Sequence, residues 1–176
     1  MYFLAHLDMH KDFKMRKTKN TMKTVVTLLL CIVSLTGMQQ LFALEGKNSS
    51  VKHLLSSDPS SQNMPFSEGV IAGDLLFLSG QIGVDPKTGK MVSGGIKAEA
   101  KQTMDNIKAT LTHHGYSMSD IVKCTVMIAD MKTWSAFNEV YVTYFSKPYP
   151  ARSAFGANGL ALNGNLEVEC IAYVGK

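Results

Sequence analysis

The chain has 176 residues, 45% hydrophobic and 18% charged, which is the composition of an ordinary soluble protein and enough for one domain with a real core. Its formal net charge of +4 is misleading, because six of the 18 basic residues lie in the first 23 positions. The remainder carries 12 basic and 12 acidic side chains, a neutral balance that argues against a nucleic-acid surface of the usual strongly basic kind.

Residues 1–43 read as an export signal. Lys17, Lys19 and Lys23 supply a basic region, and Val25 to Gly37 is an apolar run dominated by Val, Leu and Ile. That run is too short for an ordinary membrane span, and basic-then-apolar order is what signal peptides show. Cleavage is expected after Ala43; a retained single-helix anchor is the alternative. The expected location is therefore exported, periplasmic or secreted, with no membrane attachment after cleavage. Residues 44–64 are rich in Ser, Asn, Lys and Gln and read as a linker or loosely ordered arm.

Pro65 opens the domain expected over 65–176. Val70-Ile71-Ala72 and Leu75-Leu76-Phe77-Leu78 flank Gly73-Asp74, which predicts a hairpin with a tight turn. Ser79-Gly80 ends the second strand, and Asp85-Pro86-Lys87-Thr88-Gly89-Lys90 is a loop with strong turn chemistry. From Ile96 to His114 the period is helical: Ala100, Met104, Ile107 and Leu111 share a face, and Gly115 is the expected stop. His113-His114 reads as a solvated last turn rather than a ligand pair. Ile121 to Ile128 alternates, with Val122, Cys124, Val126 and Ile128 expected on one face. Trp134, Phe137, Tyr141 and Tyr144 mark a second amphipathic helix, whose aromatic stripe reads as core. Leu166, Val168, Cys170, Ala172 and Val174 alternate against Glu167, Glu169, Ile171 and Tyr173 in a last strand.

Strand, strand, helix, strand, helix, strand, strand predicts an α/β (α+β) single domain, with two helices on one face of a mixed sheet. The glutamate-bearing face of the last strand is only half polar, which points to a homo-oligomer whose sheets pack together. After cleavage two cysteines remain, Cys124 and Cys170, both on aliphatic strand faces. They read as buried free thiols or, in an oxidising compartment, as a disulfide. No metal constellation accompanies them.

Two segments carry chemistry. Tyr149-Pro150-Ala151-Arg152-Ser153 places an arginine near a late strand, and Leu166-Glu167-Val168-Glu169 places two glutamates on the next. Arginine grips a carboxylate with two parallel hydrogen bonds, and a nearby carboxylate handles a proton or a water. If the segments pair, they form a small anionic-substrate site. The bland alternative makes Arg152 a structural ion-pair partner of Glu167 or Glu169.

Ser79-Gly80-Gln81-Ile82, Asp85-Pro86-Lys87-Thr88-Gly89, Gln102 to Ile107, Asp120-Ile121-Val122-Lys123, Pro150-Ala151-Arg152-Ser153 and Glu167 to Ala172 occur in order and at matching separations. Together they resemble the reactive-intermediate deaminase (Rid, formerly YjgF) family from about Pro65 to Lys176. The resemblance implies a chorismate-mutase-like fold, a homotrimer with sites between subunits, and no metal or organic cofactor. It implies hydrolysis of 2-imino acids and their enamine tautomers to 2-oxo acids and ammonia. Arg152 matches the arginine that binds the substrate carboxylate, and Glu167 the glutamate near the substrate nitrogen and attacking water. Asn138, Ser79 and Gly80 match residues lining the site. Phe66 stands where many members carry tyrosine, and Ala154 where some carry cysteine. A non-catalytic trimeric module for small carboxylates is the alternative; nuclease activity, attributed to some members, fits the neutral body poorly.

Overall fold

The computed structural model describes residues 51–57 and 63–175. The expected signal segment 1–43, and residues 44–50 and 58–62 of the expected linker, lie outside the described residues.

The hairpin read from Gly73-Asp74 is formed by β2 (Gly69–Ala72) and β3 (Leu75–Leu78), with Gly73 at φ +62°. A positive φ at the first central residue is what a two-residue hairpin needs and what glycine supplies without steric cost. Upstream, Lys52–Leu54 forms a further short strand, β1, antiparallel to β2. This corrects the linker reading for these residues. The β2 edge has backbone groups to pair, and Leu54 is buried against the core while Lys52 and His53 stay exposed. The loop after β3 is also more ordered than its turn chemistry implies. Val84–Asp85 (β4) and Lys90–Met91 (β5) close a small hairpin around Pro86–Gly89.

Helix α1 (Gly95–His113) buries Ala100, Met104, Ile107 and Leu111 as their spacing predicts. It stops in a Schellman arrangement: Tyr116 N–H reaches Leu111 O at 2.8 Å, Gly115 N–H reaches Thr112 O at 3.1 Å, and Gly115 takes φ +83°. His113 in the last turn is exposed as expected, but His114 is not. His114 Nε2 lies 2.8 Å from Glu68 Oε2, and both side chains are largely shielded. The pair ties the helix end to the approach of β2.

β6 (Ile121–Ile128) follows, then α2 (Trp134–Tyr141), β7 (Ala151–Gly156) and β8 (Leu166–Tyr173). Strand order is β1-β2-β3-β8-β6-β7; only the β6–β7 pairing is parallel, so the sheet is mixed. The fold class expected from the pattern is correct. One detail differs: Val122 is 44% exposed and Ile121 takes its place in the core. A register shift between Ile121 and Lys123 against β8 inserts an extra residue there and reverses the alternation upstream of it.

The helix-side face of the sheet carries Leu76, Leu78, Cys124, Val126, Ile128, Leu166, Val168, Cys170 and Ala172, all buried. Cys124 and Cys170 are directly opposite in the β6–β8 ladder, Cα–Cα 4.1 Å, and are disulfide-bonded. Of the two readings left open by the sequence, the structure takes the bonded one. The other face is open: Leu75, Phe77 and Tyr173 are exposed there beside Ile171, Glu167 and Glu169.

Candidate active site

Arg152 projects from the edge strand β7. It lies in register with Cys124, whose side chain enters the helix-covered core, and Ala154 lies in register with buried Val126. Strand alternation therefore puts Arg152 and Ala154 on the helix side of the sheet. The guanidinium carbon lies 4.6 Å from the Trp134 ring centroid, 4.5 Å from that of Tyr141 and 6.0 Å from that of Phe137. Among the described residues no carboxylate pairs with it. That removes the reading of Arg152 as an ion-pair partner of Glu167 or Glu169. Among the described residues its side-chain N–H donors are uncommitted.

Asn138 belongs to this half of the site. It follows Trp134 by four residues and precedes Tyr141 by three, so the helical repeat places it on the same face as both rings. Its Oδ1 is buried and has no hydrogen-bond partner, as is the Tyr141 hydroxyl. Burial raises the pKa of Tyr141, and the positive charge of Arg152 partly offsets the rise. Tyr141 was read from the sequence only as core. It is core, and it is also a wall of the arginine's niche. The signal lay in the ring spacing of 134, 137 and 141, which fits a core stripe equally well.

Glu167 lies elsewhere. It alternates with buried Leu166 and Val168, so it points to the open face of β8, half-buried. The loop after β3 passes over it: Gln81 and Val168 exchange backbone hydrogen bonds of 2.9 Å in each direction. This bridge lays Gly80 against the carboxylate, and a Cβ at Gly80 would overlap Glu167 Oε1. Glycine is required there by close approach rather than by turn geometry. Ser79 Oγ donates to Ser67 O at 2.6 Å, and Ser79 N–H donates to Glu68 O at 3.0 Å. These bonds bring the Phe66-Ser67 segment to Ser79-Gly80; Phe66 itself is 60% exposed.

Two buried or half-buried groups that sequence reasoning passed over hold this second half in place. Glu99 of α1, nearly fully buried, accepts the backbone N–H of Asn165 at 2.7 Å and the Asn165 side-chain amide, which anchors the start of β8. Asn106 Nδ2 donates to Ile82 O (3.1 Å) and Val84 O (2.9 Å), which pins the chain leaving Gly80. One acid and one amide among the several polar residues of an ordinary helix give no pattern that marks such tasks.

The predicted residues thus fall into two groups. Ser79, Gly80 and Glu167 gather at the open face, with the segment of Phe66 tied beside them; Arg152, Asn138 and Ala154 gather at the helix-side edge. The segments of Arg152 and Glu167 do not pair with each other, because β6 runs between β7 and β8. Sheet alternation then turns the two side chains to opposite faces.

A family model described as Endoribonuclease L-PSP matches residues 57–174. The chain belongs to this family. A RutC family protein of Pyrococcus horikoshii is 45% identical over 109 residues, covering 62% of this chain and 86% of its own length. The human protein named 2-iminobutanoate/2-iminopropanoate deaminase is 38% identical over 111 residues, covering 63% of this chain and 81% of its own. The solved structure of the YjgF gene product from E. coli superposes with TM-score 0.63 at 33% identity, covering 69% of this chain and 98% of that one. The resemblance read from the motifs is thereby established at the level of the family, several members of which are named 2-iminobutanoate/2-iminopropanoate deaminase.

Proposed function

We propose that the protein hydrolyses 2-imino acids and their enamine tautomers, with 2-iminopropanoate and 2-iminobutanoate as substrates, to 2-oxo acids and ammonia. The observation that carries this reading is the uncommitted Arg152 fork, on a frame that offers one half-buried carboxylate, Glu167, on the other group of site residues. Arg152 binds the substrate carboxylate through two N–H donors and fixes its position and plane. The protonated imine carbon is already electrophilic, so holding it beside an oriented water supplies much of the remaining barrier reduction. Glu167 accepts a proton as the water oxygen bonds to the imine carbon and returns it to nitrogen; as the C–N bond breaks and ammonia leaves, the hydroxyl gives its proton to Glu167 and becomes the carbonyl of the 2-oxo acid. Water is the only co-reactant in this balance.

In this reading each site joins Arg152 of one copy to Glu167 of a second, in a homotrimer. The opposite orientation of the two side chains supports it, as does the exposed apolar row Leu75, Phe77 and Tyr173 on the open face. The mature protein acts after export; the Cys124–Cys170 bond supports an oxidising compartment. The family description names an endoribonuclease, but a body with 12 basic and 12 acidic side chains lacks the positive surface that phosphate binding uses.

The test generates 2-iminopropanoate with a serine-eliminating enzyme and follows its decay. Acceleration by the mature protein is expected, and Arg152→Ala should reduce kcat/KM by roughly 10²–10⁴. Equal acceleration by the variant refutes the role of the arginine. Binding of 2-oxo acids in calorimetry without turnover would instead favour a non-catalytic carboxylate-binding module.

A further inference from the structure

We propose that Trp134 and Tyr141 are positioning residues, forming an aromatic cage that holds the Arg152 guanidinium in the pose that binds a carboxylate. The inference rests on the reading of Arg152 as the carboxylate clamp and adds to it the residues that make the clamp rigid.

Arg152 stands on an edge strand, is largely exposed, and carries a long side chain with many rotamers. Left to itself such a side chain samples many poses, and each bound carboxylate must first select one. Here the guanidinium carbon is almost equidistant from two rings, 4.6 Å from the Trp134 centroid and 4.5 Å from the Tyr141 centroid. The two rings lie seven residues apart, two helical turns on one face. Phe137 fills the gap between them, stacked on Trp134 with centroids 5.7 Å apart and tilted against Tyr141 at 5.5 Å. Its own centroid lies 6.0 Å from the cation, at the floor of the notch. Phe145 backs Tyr141 at 4.8 Å. The cage is therefore a rigid row of rings and not two independent side chains.

Cation–π attraction draws on the charge of the guanidinium and the quadrupole of the ring, and it consumes no N–H donor. A caged arginine keeps its fork free for a planar anion, which is the state found here. A salt bridge would have fixed the same side chain by occupying the donors that substrate needs.

Trp134 is the sole tryptophan of the chain, so its emission reports directly on the cation above it. The experiment uses the full chain and 2-oxobutanoate as probe. Wild type should show a saturable change in tryptophan emission that Arg152→Ala abolishes. By calorimetry Tyr141→Leu and Trp134→Leu should each weaken 2-oxobutanoate binding about 3- to 30-fold, and raise KM for the imine with kcat nearly unchanged. Tyr141→Phe, which keeps the ring, should stay within about 3-fold of wild type. Trp134 is only half-buried, so its leucine variant retains the core where Tyr141→Leu fails to fold. Ring variants that fold and bind 2-oxobutanoate as wild type does, while Arg152→Ala does not, overturn the cage and leave the clamp. Binding without imine turnover removes the deaminase reading and leaves the cage. A wild type that does not bind 2-oxobutanoate removes both.

Discussion

The two faces of the sheet are built from the same strands and behave differently. On the helix side every inward position of β3, β6 and β8 is buried under α1 and α2. On the open side the alternate positions of β3 and β8 are exposed or half-buried, with Leu75, Phe77 and Tyr173 among the exposed ones. Each face also carries one half of the chemistry. Arg152 rises on the covered side, where helix α2 can cage it. Glu167 rises on the open side, where only a loop and Gly80 lie over it. A sheet cannot bring two such side chains together by local adjustment, since a strand has to slip by one residue to change faces. The division teaches that one chain keeps the two groups of residues on opposite faces, so that the proposed site would be completed only by association.

The strongest way to break this comparison is complementation. Arg152→Ala and Glu167→Gln should each be nearly inactive alone. Co-expressed in equal amounts and assembled at random, they should recover about a quarter of wild-type activity, because a site drawing its arginine and glutamate from different copies is intact in roughly one pairing of four. Imine decay measured on the purified mixture reads the result. Recovery at the background level of the single variants would put both residues in one copy, against the geometry of the sheet.

The covered face makes a second, smaller prediction. The Cys124–Cys170 bond closes a sequence separation of 46 residues across the neighbouring strands β6 and β8. By loop-closure arguments its removal costs about 2–4 kcal/mol. Denaturant unfolding of the Cys124→Ala/Cys170→Ala double variant should show that loss, with imine turnover retained below the transition. An unchanged midpoint would mean that the core on this face holds the strands together without the crosslink.

Much of this division was legible in the sequence. Alternation in β8 separates Leu166, Val168 and Cys170 from Glu167 and Glu169, and the helical period of α1 names its buried face. The half-polar character of the open face was visible too, and with it the need for a partner. What the residues did not display is order across the sheet. Nothing local says that β8 lies between β3 and β6, so Arg152 and Glu167 read as neighbours when β6 separates them. Val122 was misplaced for a related reason: a bulge is set by the partner strand, and the alternating letters of one strand do not reveal it. β1 was missed because three residues with one buried side chain make no pattern. The arginine cage was hidden because stacked aromatic residues serve a core and a cation with the same spacing.

The covered face is also held by polar ties at its outer surface, and pH tests these with the smallest effect. Asp105 of α1 accepts a hydrogen bond from Lys101 Nζ at 2.6 Å and from the Tyr144 hydroxyl at 2.8 Å, joining α1 to the turn after α2. Burial alone would raise the Asp105 pKa. The hydrogen bonds from Lys101 and Tyr144, with the charges of Lys101 and Lys108, outweigh it and leave the pKa below the usual carboxylate value. A carboxylate lowered in the folded state binds fewer protons than its unfolded counterpart, so stability rises with pH across the gap. The contribution is complete above the unfolded value near 3.8 and is lost as pH falls through the lowered folded value. Tyr144 works in the other direction: burial first, then the hydrogen bond to Asp105 and its charge, push the hydroxyl far above its ordinary range. Its contribution is present below the ordinary tyrosine value and disappears as pH rises through the raised one. Asp105 is 39% exposed, so solvent screening keeps its share to a few tenths of a kcal/mol, at most about 1. Asp105→Asn should therefore flatten the acid limb of the stability curve below about pH 4, and Tyr144→Phe the alkaline limb above about pH 10, both read by urea midpoints across pH. An acid limb identical to wild type in Asp105→Asn would show that the helices are held on this face by apolar packing alone.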